Sequence, residues 1–129
     1  MKALLDTHAV LWAMTQPTLL GGAARTLLLD DSTEVLLSTV VAWELSIKHH
    51  AGKLPEAAPL LAGFPTVIAS LVATVVPIGL SHAVLAGGLD WAHRDPVDRM
   101  LAAQAISQGA ALISRDAVFD TLPGLRRLW

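Results

Sequence analysis

Short, uninterrupted apolar runs alternate with helical patterns along this chain, and this alternation restricts the folds that it can adopt. Predicted strands occupy residues 3–5, 34–38, 74–78 and 110–113. Strands that are covered on both faces read as continuous apolar runs, whereas strands with one wet face alternate apolar and polar residues. Strands that alternate with helices indicate a parallel sheet. The sequence therefore predicts an α/β fold with three α/β/α layers and a central parallel sheet of four to five strands.

The helices between these strands are marked by capping and terminating residues. Helical patterns are predicted over residues 7–15, 22–30, 39–51, 81–86 and 96–108. Thr39, Ser81 and Asp95 have side chains that accept hydrogen bonds at a helix N-terminus, and a proline follows Asp95 at the first helical position. Gly52 and Gly109 stand where helices end. We therefore expect Thr39, Ser81 and Asp95 to be N-caps.

The length and composition of the chain fit one domain over residues 1–129. Apolar residues make up 53% of the sequence and supply a core, whereas charged residues make up only 16%. A sparsely charged surface favours coverage by a partner or a second copy. The net charge of −2 excludes nucleic-acid binding through a broadly basic surface. Any phosphate must therefore meet local basic residues or bound cations.

The cysteine content and the apolar stretches indicate the cellular compartment of the protein. The chain contains no cysteine, which excludes disulfides, thiolate zinc sites and cysteine nucleophiles. Residues 57–80 carry no charge and are long enough to span a bilayer, but Pro59, Pro65, Pro77 and Gly63 divide them. We interpret this stretch as a packed helix that runs into a buried strand. Because Asp6 also interrupts any apolar stretch of a secretion signal, we expect a cytoplasmic protein without membrane association.

Four acidic residues occupy positions at which their side chains are predicted to meet: Asp6, Glu44, Asp98 and Asp116. Asp6 directly follows the first strand and Asp116 shortly follows the last, so both reach one crevice if those strands are neighbours. Glu44 lies on the apolar face of its helix, and Asp98 lies in a first helical turn, where a carboxylate is favoured. Crowded carboxylates repel one another without a cation, and Mg²⁺ or Mn²⁺ binds such oxygen ligands. The pattern predicts a divalent-metal site that hydrolyses a phosphodiester bond.

Each of these acids also has a purely structural interpretation. The structural roles are a helix cap at Asp6, an ion pair of Glu44 with Lys48, a capping pair of Asp98 with Asp95, and a turn at Asp116. A phosphatase of the haloacid-dehalogenase type is a further alternative, with Asp6 as its nucleophile. That class requires a second aspartate two residues later, where this chain has His8.

Several segments, in a fixed order, together carry a family resemblance. They are Leu4-Leu5-Asp6-Thr7-His8, residues 38–48 (Ser-Thr-Val-Val-Ala-Trp-Glu-Leu-Ser-Ile-Lys), Gly52-Lys53-Leu54, residues 93–105 (His-Arg-Asp-Pro-Val-Asp-Arg-Met-Leu-Ala-Ala-Gln-Ala) and Leu112-Ile113-Ser114-Arg115-Asp116. The chain resembles PIN-domain ribonucleases, and most closely the VapC toxin branch. The resemblance implies a PIN-like fold, Mg²⁺ or Mn²⁺ as cofactor, and hydrolysis of single-stranded or looped RNA. It also implies a homodimer and inhibition by a cognate antitoxin protein.

The resemblance also assigns roles to residues. The family's metal site matches Asp6, Glu44, Asp98 and Asp116, with Asp116 completing the site directly or through water. A metal-activated water would then attack phosphorus in line and leave 5′-phosphate and 3′-hydroxyl ends. Thr7 and Ser114 are candidates to hydrogen-bond the carboxylates or the waters of the metal, and a capping role is an equal alternative.

Basic and aromatic residues supply candidate RNA contacts. Arg99 and Arg115 stand beside site acids in the sequence, which makes both candidate contacts to RNA phosphate, with solvation or an ion pair as the alternative. The histidines are interpreted as packing or RNA-facing residues, and the tryptophans as core or interface residues with base stacking as the alternative. Two other functions stay open, a housekeeping RNA-processing PIN nuclease and a catalytically silent PIN-fold binding module. A neighbouring gene for a small DNA-binding protein would favour the toxin.

Overall fold

A computed structural model describes residues 1–129 and pairs the apolar runs into one five-stranded sheet. Its strands are β1 (Lys2–Leu5), β2 (Glu34–Ser38), β3 (Thr74–Val76), β4 (Ala111–Ile113) and β5 (Arg127–Leu128). The strand order is β3-β2-β1-β4-β5, and every neighbouring pair is parallel. The predicted parallel sheet is confirmed. The short edge strand β5 lies outside the predicted apolar runs.

Seven α-helices flank the sheet and complete the three predicted layers. They are α1 (Thr7–Thr15), α2 (Gly22–Leu28), α3 (Thr39–His50), α4 (Ala58–Ala62), α5 (Phe64–Leu71), α6 (Leu80–Gly88) and α7 (Pro96–Gln108). Three short 3-10 turns cover Pro17–Leu19, Pro55–Ala57 and Ala117–Thr121. Helices on both faces require strands that are apolar on both faces, which explains why the strands read as continuous apolar runs.

The core is densest around the central strands β1 and β4. Leu4 and Leu5 are both fully buried, although successive side chains of a strand point to opposite faces of the sheet. Leu112 and Ile113 of β4 are buried in the same way. Both faces of the sheet are therefore covered at its centre, and the strand ends in this region are held rigidly by packing.

The N-cap of α3 differs from the prediction by one residue. The hydroxyl of Ser38 accepts a hydrogen bond from the Val40 amide at 3.1 Å, so Thr39 is the first helical residue and not the cap. Ser38 ends β2 and still has extended backbone angles, which an N-cap residue requires. The strand therefore passes into the helix without a connecting loop, and this leaves little freedom in where the first turns of α3 lie.

The caps of α6 and α7 differ in how well they were predicted. The predicted cap Ser81 lies inside α6, which follows Gly79, and the Gly79 amide donates to Nδ1 of His82 at 3.0 Å. The His82 ring thus accepts from the N-cap amide, as the third helical residue does in a capping box, and no side-chain oxygen caps α6. At α7 the prediction is confirmed, because Oδ1 of Asp95 accepts from the Asp98 amide at 3.0 Å.

The uncharged stretch 57–80 is divided as its prolines predicted, but one part of its interpretation is wrong. It forms α4, α5 and β3, and no helix of the chain is both long and apolar enough to cross a membrane. The strand β3 is not buried, because it pairs only with β2 and lies at an edge of the sheet. Thr74 and Val75 are exposed and only Val76 is buried. Pro77, which lacks an amide hydrogen, follows directly after the strand.

Candidate active site

The central strands bring two distant acids to the same edge of the sheet. β1 and β4 are parallel neighbours, with Leu5 opposite Ile113. The amide of Asp6 donates to the carbonyl of Ile113 at 3.0 Å, so Asp6 lies beside the end of β4, from which the chain continues to Asp116. The adjacency that the sequence analysis required for these two carboxylates is present. Such carboxyl ends of strands are where open parallel sheets place their ligand sites.

All four predicted acids line one cavity of about 150 Å³ at this edge. Asp6 and Asp116 come from the ends of β1 and β4, Glu44 from the second turn of α3, and Asp98 from the first turn of α7. The other residues that line the cavity are Thr7, His8, Lys48, Asp95, Leu101 and Phe119. Four separate chain segments thus deliver carboxylates to a single cavity.

Asp6 is the most enclosed of these acids. Its Oδ1 accepts a hydrogen bond from the Ala9 amide at 2.7 Å, which makes it the N-cap of α1. Burial raises the pKa of Asp6, and the nearby charge of Glu44 raises it further. A hydrogen bond from Ser114, the Ala9 amide and the charge of His8 act in the opposite direction. Burial outweighs these contacts, so the site withdraws a carboxylate from water without fully compensating its charge.

Asp98 is in a similar electrostatic situation. Burial raises the pKa of Asp98, and the charges of Asp95 and Glu44 raise it further, whereas the contact with His93 lowers it. Nε2 of His93 lies 2.7 Å from Oδ2 of Asp98. An ionised carboxylate only accepts hydrogen bonds, so this ring nitrogen is the donor. The cavity therefore concentrates negative charge that its own residues only partly neutralise.

The remaining two acids make the structural contacts that the sequence analysis offered as alternatives. Nζ of Lys48 lies 3.3 Å from Oε1 of Glu44, whose side chain is 13% exposed. Oδ1 of Asp116 accepts from the Val118 amide at 2.9 Å. These contacts use one oxygen of each carboxylate, so a structural role and a place on the cavity wall coexist in the same residue.

The donor set of the cavity fits a partly hydrated divalent cation. As the side chains stand, no group of three or more histidine, aspartate or glutamate residues is arranged to enclose a metal ion. Mg²⁺ keeps several waters and binds through one or two carboxylates, so it does not need such a cage. Thr7 lines the cavity, and its buried hydroxyl oxygen has no hydrogen-bond partner in the chain. Such an oxygen is suited to hydrogen-bond a water of a bound ion.

The two candidate arginines have different surroundings. The guanidinium of Arg99 donates to backbone carbonyls at 2.8 to 3.0 Å, and more weakly to a further one at 3.5 Å. The acceptors are Ala86, Leu89, Trp91 and His93, with Gly87 as the weaker one. Arg99 therefore holds the segment between α6 and α7. Arg115 is exposed and forms no ion pair within the chain, so of the two it is the one whose guanidinium is available to a ligand.

Several residues that line the cavity or contact its acids were not predicted from the sequence to belong to the site. His93 is the partner of Asp98, and His8, Lys48 and Asp95 share the cavity wall. No local pattern marks His93, because its contact depends on the path of an irregular segment. Asp95 was interpreted only as a cap, and its place on the cavity wall follows from the short first turn that separates it from Asp98.

These observations define a parallel α/β domain with a carboxylate-lined cavity at the carboxyl ends of its central strands. The model of the PIN domain family matches residues 3–125. The chain therefore belongs to the PIN domain family. A comparison with curated protein sequences gave no match.

Solved structures share this fold over nearly the whole chain. VapBC2 from Rickettsia felis, solved with a DNA fragment of its promoter, is 16% identical with a TM-score of 0.70, over 99% of this chain and 98% of that one. VapBC-1 from nontypeable Haemophilus influenzae is 18% identical with a TM-score of 0.65, over 99% and 97%. VapC20 from Mycobacterium tuberculosis, a toxin that cleaves the sarcin-ricin loop, is 18% identical with a TM-score of 0.59, over 96% and 98%.

Proposed function

We propose that this chain is a divalent-metal-dependent endoribonuclease and the toxin of a type II toxin–antitoxin pair. The observation that carries the nuclease proposal is the cavity into which four chain segments bring Asp6, Glu44, Asp98 and Asp116. A catalytically silent binding module has no need to gather carboxylates whose charge is only partly neutralised. The PIN family assignment and the fold shared with VapC proteins support the same activity.

The residues at the cavity would have different roles in metal binding and catalysis. Asp6, Glu44 and Asp98 would organise the cation, one or two of them as direct ligands and the rest through its waters, with Asp116 completing the site directly or through water. Bound there, Mg²⁺ or Mn²⁺ lowers the pKa of water and neutralises charge on the phosphate. His93 holds the Asp98 side chain in place through its hydrogen bond. The hydroxyl of Ser114 interacts with Asp6 and also accepts from the Asp116 amide at 3.1 Å, so Ser114 links these two acids. In-line attack by water leaves 5′-phosphate and 3′-hydroxyl ends.

The proposed toxin role implies two protein partners, a cognate antitoxin and a second copy of this chain. The similar solved structures include toxin–antitoxin complexes, and they support a cognate antitoxin for this chain. A homodimer is also proposed. The helix α3 exposes Trp43 and Ile47 by 54% and 49%, and large apolar side chains at this exposure favour coverage by another protein surface.

RNA cleavage by amide variants tests the nuclease proposal. Asp6→Asn and Asp98→Asn should abolish Mg²⁺- or Mn²⁺-dependent cleavage of single-stranded RNA while the fold is retained, because the amide removes a charged ligand and keeps the side-chain shape. Asp31→Asn is the matched control, since Asp31 is exposed and lies outside the cavity. Cleavage that persists in both folded site variants would refute the proposal. Sequencing of the RNA ends identifies the cut and its end chemistry.

Expression in a bacterial host separates the toxin from a housekeeping nuclease. The toxin proposal predicts that induced expression arrests growth, and that the Asp98→Asn variant does not. Co-expression with the product of a neighbouring gene for a small DNA-binding protein should restore growth. An active nuclease that leaves growth unaffected would favour the housekeeping alternative.

A further inference from the structure

A second cavity opens beside the acidic one and shares part of its wall. It has a volume of about 430 Å³ and is lined by Asp6, His8, Trp12, Arg115, Asp116 and Ala117. Asp6, His8 and Asp116 line both cavities, so a molecule that fills the second one lies directly beside the proposed cation site. The two cavities differ in chemistry, because the second adds an aromatic ring and a guanidinium to the acids.

The ring of Trp12 is held firmly by its neighbours. The His8 ring lies 5.1 Å from it between centroids, at an interplanar angle of 48°. Trp129 packs edge-on at 5.6 Å and 61°. Trp12 is nevertheless only partly buried, and it lines the cavity. A fixed, partly open aromatic surface is suited to stack against a planar ligand.

Arg115 adds a positive charge that forms no ion pair within the chain. Its guanidinium carbon lies over the Trp12 ring at 5.9 Å from the centroid, a cation–π contact that leaves the N–H donors without an acidic partner. In contrast, the guanidinium of Arg99 donates to backbone carbonyls, and Nε and Nη2 of Arg127 donate to the two carboxylate oxygens of Asp120 at 2.9 and 2.8 Å. A free guanidinium at the rim of an acidic site is available for a phosphate group.

We propose that this second cavity binds one unpaired nucleotide of the RNA, adjacent to the phosphate that is cut. Its base stacks on Trp12 and its phosphate contacts Arg115. The inference rests on the proposed ribonuclease function and adds to it a positioning site. A base within a duplex is already stacked on both faces and paired, so only an unpaired nucleotide can enter without disruption of a helix. A site of this kind would favour single-stranded RNA and would meet phosphate locally, as a chain with a net charge of −2 requires.

The test uses a single-stranded RNA oligonucleotide that the wild-type chain cuts. The fluorescent adenine analogue 2-aminopurine replaces one nucleotide at a time on either side of the cut. Binding is measured with the full-length Asp98→Asn chain, which lacks a proposed ligand and does not consume the RNA. Because stacking quenches 2-aminopurine, we expect strong quenching at one position next to the cut.

Substitutions at Trp12 and Arg115 are then compared in that background. Trp12→Leu should weaken binding by at least about fivefold and remove the quenching, whereas Trp12→Phe should retain most of both, since stacking needs an aromatic ring. Arg115→Leu should weaken binding and leave the quenched position unchanged. Arg126→Leu, in a cavity at the opposite edge of the sheet, is the matched control and should have no effect.

The outcomes separate this inference from the proposed function. If the wild type cuts no single-stranded RNA, the proposed function fails and the nucleotide site fails with it. If cutting requires the acids but Trp12→Leu binds and quenches as before, the nucleotide site alone is refuted. Melting temperatures of the variants show which of them are folded. Trp12→Phe retains an aromatic ring, so binding that is retained in Trp12→Phe and lost in Trp12→Leu would assign the effect to stacking.

Discussion

Nε2 of His93 lies 2.7 Å from Oδ2 of Asp98 and ties the irregular segment before α7 to the first turn of that helix. The contact lowers the pKa of Asp98, whereas burial raises it. A metal ion binds the ionised carboxylate, so its apparent affinity increases as the pH rises through this pKa.

Removal of the His93 contact should therefore weaken metal binding. In His93→Ala the pKa of Asp98 is raised further, so the pH dependence of Mn²⁺ binding shifts to higher pH and affinity below that range falls by about tenfold. His93→Gln retains an N–H donor and should lie closer to wild type. Calorimetric titration over a series of pH values measures both effects. Equal affinity in all three proteins would show that His93 does not steady the site.

Asp6→Asn should stabilise the metal-free fold at neutral pH. The folded-state pKa of Asp6 is raised above 3.8, so this carboxyl contributes stability below 3.8 that is lost as the pH rises through its folded-state pKa. Asparagine removes the buried charge and keeps the N-cap bond to the Ala9 amide. The gain measured by urea unfolding should disappear as the pH falls toward 3.8. A loss of stability at neutral pH would contradict the conclusion that the charge of Asp6 destabilises the metal-free fold.

Arg99 should be important for stability rather than for RNA contact. Arg99→Leu removes hydrogen bonds from a charged donor to several partly buried carbonyls, and should reduce the free energy of unfolding by about 2–3 kcal/mol. Arg99→Lys should recover only part of this, because an ammonium group cannot reproduce the planar fork of donors. Arg115→Leu is the matched control and should change stability by less than about 0.5 kcal/mol. Urea titrations in which Arg115→Leu loses more free energy of unfolding than Arg99→Leu would contradict the structural role of Arg99.

Two adjacent glycines should respond in opposite ways to alanine. A Cβ at Gly21 would lie 2.4 Å from the backbone carbonyl carbon of Trp129, whereas a Cβ at Gly22 meets nothing within 4 Å. Gly21→Ala should destabilise the chain by about 1–3 kcal/mol through overpacking against Trp129. Gly22→Ala, inside α2, should be neutral or stabilising by up to about 1 kcal/mol. Thermal unfolding measures both, and similar effects of the two substitutions would argue against the close approach of Trp129.

The sequence was sufficient for those parts of the site that depend on strand ends and helical faces. Asp6 and Asp116 follow apolar runs, and parallel strands bring their carboxyl ends to one edge. Glu44 follows from its place on the apolar face of α3, and Asp98 from a capped first turn. These features depend on periodicity and capping, which are local properties of the chain.

Features that depend on tertiary context were not accessible in this way. The edge position of β3 is set by which strands pair, and an apolar composition does not reveal it. The contact of His93 with Asp98 requires the path that Arg99 imposes on the preceding segment. Ser38 replaces Thr39 as the cap of α3 because the last residue of β2 itself accepts from the Val40 amide, so the helix begins at Thr39, directly after the strand.

The central claim is that Asp6, Glu44, Asp98 and Asp116 form a single cation site. Its most direct test is a calorimetric titration of Mn²⁺ into the wild type and into Asp6→Asn, Glu44→Gln, Asp98→Asn and Asp116→Asn, with Asp31→Asn as the control. We predict saturable binding to the wild type and the control, and affinities lower by at least about tenfold in Asp6→Asn, Glu44→Gln and Asp98→Asn, with a smaller or equal loss in Asp116→Asn. Wild-type affinity in the folded amide variants would contradict the account.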